Sequence, residues 1–186
     1  MSTGLLPPDQ TTAFGDPGDE TARRYRFQYT LAAIVCCMLF DDTQDVVEVF
    51  CEHHEDVLLK HSDGKFTGQQ VKTRESNQPL WKASDAQVKR ACARFVQLDM
   101  RFPGYFRAYR FLTCHPFYVA DNSQSLGYVL AKIAAVPSID DLPSGVDGWL
   151  RRVVREAEAS ETVAFHALKK ATASADLPSC RIHSCG

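Results

Sequence analysis

Three polar residues in the first half of the chain have types and spacing suited to phosphodiester chemistry. Asp56 lies before a predicted turn between two strands, and the triplet Gln70-Val71-Lys72 lies after it. Carboxylate and amide oxygens are hard ligands that suit Mg²⁺, which usually keeps several of its own waters. A nearby ammonium group can orient a water molecule and stabilise a pentacovalent transition state. This combination predicts a catalytic set of Asp56, Gln70 and Lys72 in a metal-dependent nuclease.

The turn between two predicted strands decides whether these side chains meet. Strand residues alternate between faces, so Gln70 and Lys72 share one side of the second strand. A two-residue Asp-Gly turn would pair Asp56 with Val71 and separate the polar groups. A three-residue loop, with Gly64 in the left-handed region as a bulge, would pair residue 61 with 65 and Asp56 with Gln70. We predict the three-residue loop.

The predicted metal site needs several oxygen ligands. Asp56 is expected to be the principal ligand, Gln70 gives its side-chain oxygen in place of the more usual glutamate, and the Val71 carbonyl could complete the set. Glu52 or Glu20 could support a second ion. The expected cofactor is Mg²⁺, with Mn²⁺ as a substitute. Two carboxylates in one site raise the pKa of one of them when no ion is bound, which favours cation binding.

Composition limits the class of protein. The chain has 186 residues, enough for one well-cored domain, and its 45% hydrophobic and 24% charged residues are ordinary for a soluble globular protein. A net charge of −2 disfavours a broad nucleic-acid-coating surface but permits a local basic groove. The seven scattered cysteines fit a reduced cytoplasm. The longest apolar run, 31–40, is too short for a bilayer span, and no membrane association is expected.

Hydrophobic periodicity predicts a mixed α/β (α+β) fold. The order of a helix, three strands, a helix and a strand is the αβββαβ core of restriction-endonuclease-like enzymes, and further helices follow it. The predicted helices are 16–40, 84–102, 123–135, 146–158 and 161–173, the second opened by a capping box at 84–87. The predicted strands are 46–52, 54–60, 66–72 and 106–113.

The chain is divided accordingly into three parts. Residues 1–18, rich in Pro, Gly, Thr and Asp, are expected to form a flexible arm. An endonuclease domain is expected over 19–176, with its core at 19–120 and a C-terminal helical extension at 121–176. Residues 177–186 lose all helical pattern and are expected to be an unstructured tail.

Three basic residues are candidate contacts to nucleic acid. Arg23 lies in the basic first half of the first predicted helix, which is either solvated or in contact with phosphates. Arg74 and Lys82 flank the polar loop that follows Lys72. That loop either faces DNA or is a solvated loop with a packed Trp81.

Four segments carry a resemblance to a known family: Gly18-Asp19-Glu20-Thr21-Ala22-Arg23-Arg24-Tyr25-Arg26-Phe27-Gln28-Tyr29, Phe50-Cys51-Glu52-His53-His54-Glu55-Asp56, Gln69-Gln70-Val71-Lys72-Thr73-Arg74 and Trp81-Lys82-Ala83-Ser84-Asp85. They resemble the double-stranded-DNA endonuclease domain of CD-NTase-associated effectors, which belongs to the PD-(D/E)xK superfamily and serves in CBASS anti-phage defence. The resemblance implies that Asp56, Gln70 and Lys72 are catalytic.

The resemblance also implies partners. In the signalling effectors a nucleotide-sensing domain follows the nuclease, and this chain leaves no room for one. A sensor or motor module is therefore expected in the same or a neighbouring polypeptide, and the chain could be a truncated reading frame. Because cutting both strands of DNA usually needs two active sites, an oligomer is expected in the active state.

Three alternatives remain open. A non-catalytic module on the same fold could bind nucleic acid or a partner, since Gln70 replaces the usual glutamate. RNA could be the substrate. A zinc site is disfavoured, because adjacent strand residues point to opposite faces and a set in the tail has only three members. Its candidate ligands are Cys51, His53 and His54, or Cys180, His183 and Cys185.

Overall fold

A computed structural model describes residues 17–40, 45–51, 55–75 and 77–175, with side chains from residue 25 onward. None of the helices in these ranges combines the length and apolar composition that crossing a bilayer requires. The helices are α1 (Pro17–Cys36), α2 (Ala86–Arg101), α3 (Leu126–Ala135), α4 (Ser144–Ala157) and α5 (Glu161–Leu168), with 3₁₀ turns at Cys37–Phe40 and Ile139–Asp141. The strands are β1 (Val46–Cys51), β2 (Val57–His61), β3 (Phe66–Lys72), β4 (Phe106–Thr113) and β5 (Ala171–Ser174).

The five strands form one sheet in the order β1-β2-β3-β4-β5. β2 runs antiparallel to both β1 and β3, whereas β3, β4 and β5 run parallel to one another. Parallel strands end at the same edge of a sheet, so the chain leaves β3, β4 and β5 on one side, and β2 begins there. We call this end of the sheet, where β3, β4 and β5 end, the C-terminal edge. The loops after β3 and β4 therefore converge where Asp56 precedes β2.

Both faces of the sheet are covered. On one face the apolar second half of α1 packs Leu31 and Val35 against Val57, Leu59 and Val71, as its composition predicts. On the other face α2 to α5 bury a larger core, because each presents an apolar stripe. That core contains Trp81, Phe95, Tyr109, Phe111 and Trp149, all of them fully buried. The sheet is thereby held rigid beneath its C-terminal edge.

The predicted αβββαβ order is confirmed, but the end of one helix and the cap of another are wrong. The predicted helix 161–173 ends at Leu168, and Ala171–Ser174 instead forms β5 beside β4, so the helical extension contributes a strand to the sheet. The predicted capping box is not made: α2 starts at Ala86, and the Asp85 side chain caps no helix N–H. Its carboxylate accepts instead from the Lys82 N–H at 2.9 Å. The predicted arm (apart from its last two residues) and tail lie outside the described residues.

The turn between β2 and β3 has the predicted three-residue form. Gly64 has a φ of 78°, in the left-handed region that favours glycine. Its N–H donates to the His61 carbonyl and the His61 N–H donates to the Lys65 carbonyl, both at 2.9 Å. The strands then pair Val57 with Gln69. Continued by one residue, this register places Asp56 opposite Gln70, as predicted.

Candidate active site

Asp56 lies in a bend at the C-terminal edge, immediately before β2. Strand pairing ends at Val57 and Gln69, so the Asp56 carboxylate takes the place of a strand carbonyl beside β3. Its Oδ2 accepts from the Val71 N–H at 2.7 Å and from Lys72 Nζ at 3.3 Å. The side chains of Asp56 and Lys72 are 17% and 29% exposed, so both reach the surface. The structure thus brings Asp56 and Lys72 together.

The Val71 carbonyl faces the same side as this carboxylate. In a strand, the N–H and C=O of one residue point to the same neighbour. Because the Val71 N–H bonds to Asp56, its carbonyl is also directed beyond the end of β2, towards Asp56. The predicted backbone ligand therefore lies on the appropriate side of β3.

Glu55 is a member of the site that sequence reasoning did not select. Gln70 donates through Nε2 to Glu55 Oε2, and Glu55 is only 4% exposed. Its Oε1 accepts no hydrogen bond from the described residues, although Arg94 Nε on α2 lies 3.9 Å away. Burial raises the pKa of Glu55 to about 7, against the opposing effects of the Gln70 hydrogen bond and the Arg94 charge. The buried Glu55 carboxylate thus holds the Gln70 amide through a hydrogen bond.

Gly68 makes room for this carboxylate. A Cβ at Gly68 would lie 3.2 Å from Glu55 Cγ and 3.3 Å from Tyr109 Cδ1, tighter than ordinary contact. The sequence prediction of a strand over 54–60 put Glu55 on the face opposite Asp56, whereas the bend at these two residues breaks that alternation. The available signal was the glycine inside β3, since such a glycine often marks a close approach.

The other predicted site residues have varied outcomes. The side chains of Glu20 and Arg23, and all of Glu52, lie outside the described residues. Arg74 is engaged within the protein: its guanidinium lies 3.4 Å from the centroid of the Trp81 ring and bonds to Asp85 at 2.8 Å. This arrangement matches the packed form of the loop. DNA contact by these basic residues stays a prediction.

The donor set fits a hard divalent cation better than zinc. Asp56, Glu55, Gln70 and the Val71 carbonyl offer only oxygen, the preference of Mg²⁺ and Mn²⁺. Glu55 Oε1, buried and without a hydrogen-bond donor among the described residues, adds a further oxygen there. Within the described ranges no three His, Cys, Asp or Glu side chains form a metal-holding cluster. Of the zinc candidates, only Cys51 is described, and its side chain is exposed.

A groove of about 970 Å³ lies along the same edge of the sheet. Its walls come from the loop after β4, from α3 and from Ala173 of β5. Two lysines lie above tyrosine rings at this groove: Lys82 Nζ is 5.3 Å from the Tyr118 centroid and Lys132 Nζ is 5.4 Å from that of Tyr128. Trp81 pairs with Phe117, which joins the loop after β3 to the groove wall. The groove therefore adjoins the loop that leaves Lys72.

The fold and the site define a class. An αβββαβ core with a carboxylate, an amide and a lysine at strand ends is a nuclease-like α+β arrangement. Over residues 16–186 the chain matches the family model described as Cap4, dsDNA endonuclease domain, and it belongs to that family. No curated protein and no solved structure matches the chain. The resemblance stated from the sequence is thereby confirmed.

Proposed function

We propose that this protein is a metal-dependent endonuclease that hydrolyses phosphodiester bonds of double-stranded DNA, as an effector of CBASS anti-phage defence in the bacterial cytoplasm. The observation that carries the proposal is the pairing of Asp56 with both Lys72 and the Val71 N–H, beside Gln70. The arrangement fits the PD-(D/E)xK pattern, with an amide at the position of the second carboxylate. Membership of the DNA endonuclease family supports the choice of substrate.

Asp56, the Gln70 side-chain oxygen and the Val71 carbonyl would hold Mg²⁺ or Mn²⁺. When bound, such an ion supplies charge neutralisation at the phosphate and a lowered pKa for the attacking water. Lys72 contributes a point charge that orients the water and stabilises the negative charge of the transition state. Asp56 holds this ammonium in place through their 3.3 Å contact. Glu52 and Glu20 remain proposed supports for a second ion.

The DNA duplex is proposed to cross the C-terminal edge and to continue over the groove between the loop after β4 and α3. Position supports this path, because the groove adjoins the loop leaving Lys72. Charge supports it as well: Lys82 and Lys132 supply cations over aromatic rings, while Asp121 is the opposing charge in the wall. Arg23 and Arg74 are proposed secondary contacts, Arg74 only if it leaves Trp81.

Regulation is proposed to come from outside this chain. A sensor or motor module, in the same or a neighbouring polypeptide, would bring two copies together so that two active sites cut opposite strands. This proposal rests on the mechanism of double-strand cleavage and on the resemblance to effectors. The mass of the assembly with and without the activating partner tests it.

Supercoiled plasmid is the decisive substrate. We expect the activated protein to cut it in Mg²⁺ or Mn²⁺, and Lys72→Ala and Asp56→Asn to lower the rate by at least about 100-fold, because each removes a charge next to the reacting phosphate. Asn at position 56 keeps an oxygen for the Val71 N–H, so the strand end is preserved. Lys65→Ala, an exposed lysine at the opposite end of β3, is the matched control and should cut normally.

Plasmid left intact by the activated protein in both metals would contradict the proposal, and so would unchanged cutting by both variants. DNA retention without cutting would support the non-catalytic module instead. Duplex and single-stranded RNA, assayed in parallel, decide whether RNA is the substrate.

A further inference from the structure

We propose that Glu55 is a positioning residue that holds the Gln70 amide with its oxygen directed to the metal. The inference rests on the proposed function and assigns Glu55 a separate part in it. Neither Asp56 nor Lys72 bonds to the Gln70 amide, whereas Glu55 does. The orientation of that amide decides whether position 70 is a ligand at all.

The chemistry of the pair fixes the orientation. When Glu55 is ionised, its carboxylate only accepts hydrogen bonds, and the NH₂ group is the only donor of the Gln70 amide. Nε2 of Gln70 must therefore face Glu55, which turns Oε1 away from it. With the amide reversed, Gln70 would present NH₂ to a cation and could not bind it. A glutamate at position 70 would need no such support, since its two oxygens are equivalent.

The packing around Glu55 makes it a stable support. Its stem lies over Gly68, where a Cβ would be 3.2 Å away, and Tyr109 and Phe106 flank the same space. The carboxylate is almost fully buried and faces Arg94 on α2 at 3.9 Å. Few alternative rotamers are open to a side chain packed in this way. Glu55 can therefore transmit its position to Gln70.

Magnesium affinity, measured by titration calorimetry on the whole chain without DNA, tests this role separately from cutting. Glu55→Gln keeps an accepting oxygen for Gln70 Nε2 but adds an NH₂ group that can bond to Gln70 Oε1 in the reversed amide, so we expect a partial loss of affinity, smaller than that of Glu55→Met. Glu55→Met has a similar length but accepts nothing, and we expect a loss of about 10–100-fold, as for other groups that orient metal ligands. Methionine suits the buried position, and thermal melting verifies that the variant folds.

A rescue variant distinguishes positioning from general damage. Glu55→Met should lower magnesium affinity in the parent but not in a Gln70→Glu background, because a carboxylate at position 70 presents an oxygen in either orientation. A merely structural role for Glu55 would lower the affinity equally in both backgrounds, and that result would overturn the proposal.

Two further results would also overturn it. Parent affinity in Glu55→Met would show that Gln70 needs no support. Equal losses in Glu55→Gln and Glu55→Met would show that the charge of Glu55 matters, as it would for a direct ligand. Failure of the proposed function would give a different result: the parent protein would bind no Mg²⁺, and Asp56→Asn would not change its Mg²⁺ binding.

Discussion

At the scale of single residues, the site separates two carboxylates that are adjacent in sequence. Asp56 reaches the surface and contacts Lys72, whereas Glu55 is buried and contacts Gln70. Two neighbouring carboxylates in different surroundings can serve different purposes, because burial and partners set the protonation of each. Here Asp56 is suited to hold a cation, and Glu55 is suited to hold the Gln70 side chain that would bind that cation.

Burial of Glu55 predicts a dependence of stability on pH. Its pKa rises from 4.5 to about 7 on folding, so the folded state binds the proton more tightly than the unfolded state. The free energy of unfolding therefore falls as pH rises between these values, by about 3 kcal/mol in total at 1.36 kcal/mol per pKa unit. Urea unfolding of the metal-free protein at pH 5 and pH 8 measures the change.

The matched variant isolates this contribution. Glu55→Gln cannot ionise, so its stability should fall less than that of the parent over the same pH range, by about the same 3 kcal/mol. Identical pH profiles for the two proteins would show that the folded state does not perturb Glu55.

At the scale of elements, the β2–β3 turn sets the register of the site. One residue more or less in the loop would place the Asp56 and Gln70 side chains on opposite faces. The left-handed Gly64 makes the three-residue loop accessible, since L side chains disfavour that conformation. The geometry of the site thus depends on a glycine at the far end of both strands.

Substitution of Gly64 should cost stability through the backbone alone. No atom lies within 4 Å of a Cβ placed there, so Gly64→Ala is expected to lower the free energy of unfolding by about 1 kcal/mol from its φ, and Gly64→Asn by less. Gly148→Ala, in open space within α4, should be neutral or stabilising. Equal urea midpoints for Gly64→Ala and the parent would contradict this assignment.

At the scale of the molecule, a net charge of −2 means that attraction to DNA must be local. The loops after the parallel strands β3 and β4 concentrate the proposed contacts on the C-terminal edge, while the β2–β3 turn lies at the other end of the sheet, which we call the turn edge. DNA binding should therefore weaken when groove lysines near the C-terminal edge are removed and stay unchanged when Lys65 at the turn edge is removed.

Combined Lys82→Ala and Lys132→Ala substitutions should weaken duplex binding in EDTA and lower the slope of log affinity against log salt by up to about two, one for each lost phosphate contact. Fluorescence anisotropy at several salt concentrations measures both quantities. Lys65→Ala, with its charge at the turn edge, should change neither. If Lys65→Ala weakened binding as much as the groove variants, the proposed path would be wrong.

The sequence by itself determined the features that depend on local pattern. Alternation and helical periodicity predicted the αβββαβ order, and Gly64 after Asp63 predicted the turn and hence the register that places Asp56 opposite Gln70. Strand β5 escaped prediction, because its small residues Ala-Thr-Ala-Ser carry no strong strand preference and pair only beside β4.

Tertiary structure decided the features that depend on distant packing. The Arg74 guanidinium packs over the Trp81 ring, a contact that no local sequence pattern predicts. The bend at Glu55 breaks the alternation that would have set it opposite Asp56, and the missing side chain at Gly68 lets it fold over β3 to reach Gln70. Sequence identifies which oxygens could bind a cation, but the close approach of two strands decides which of them are held in position.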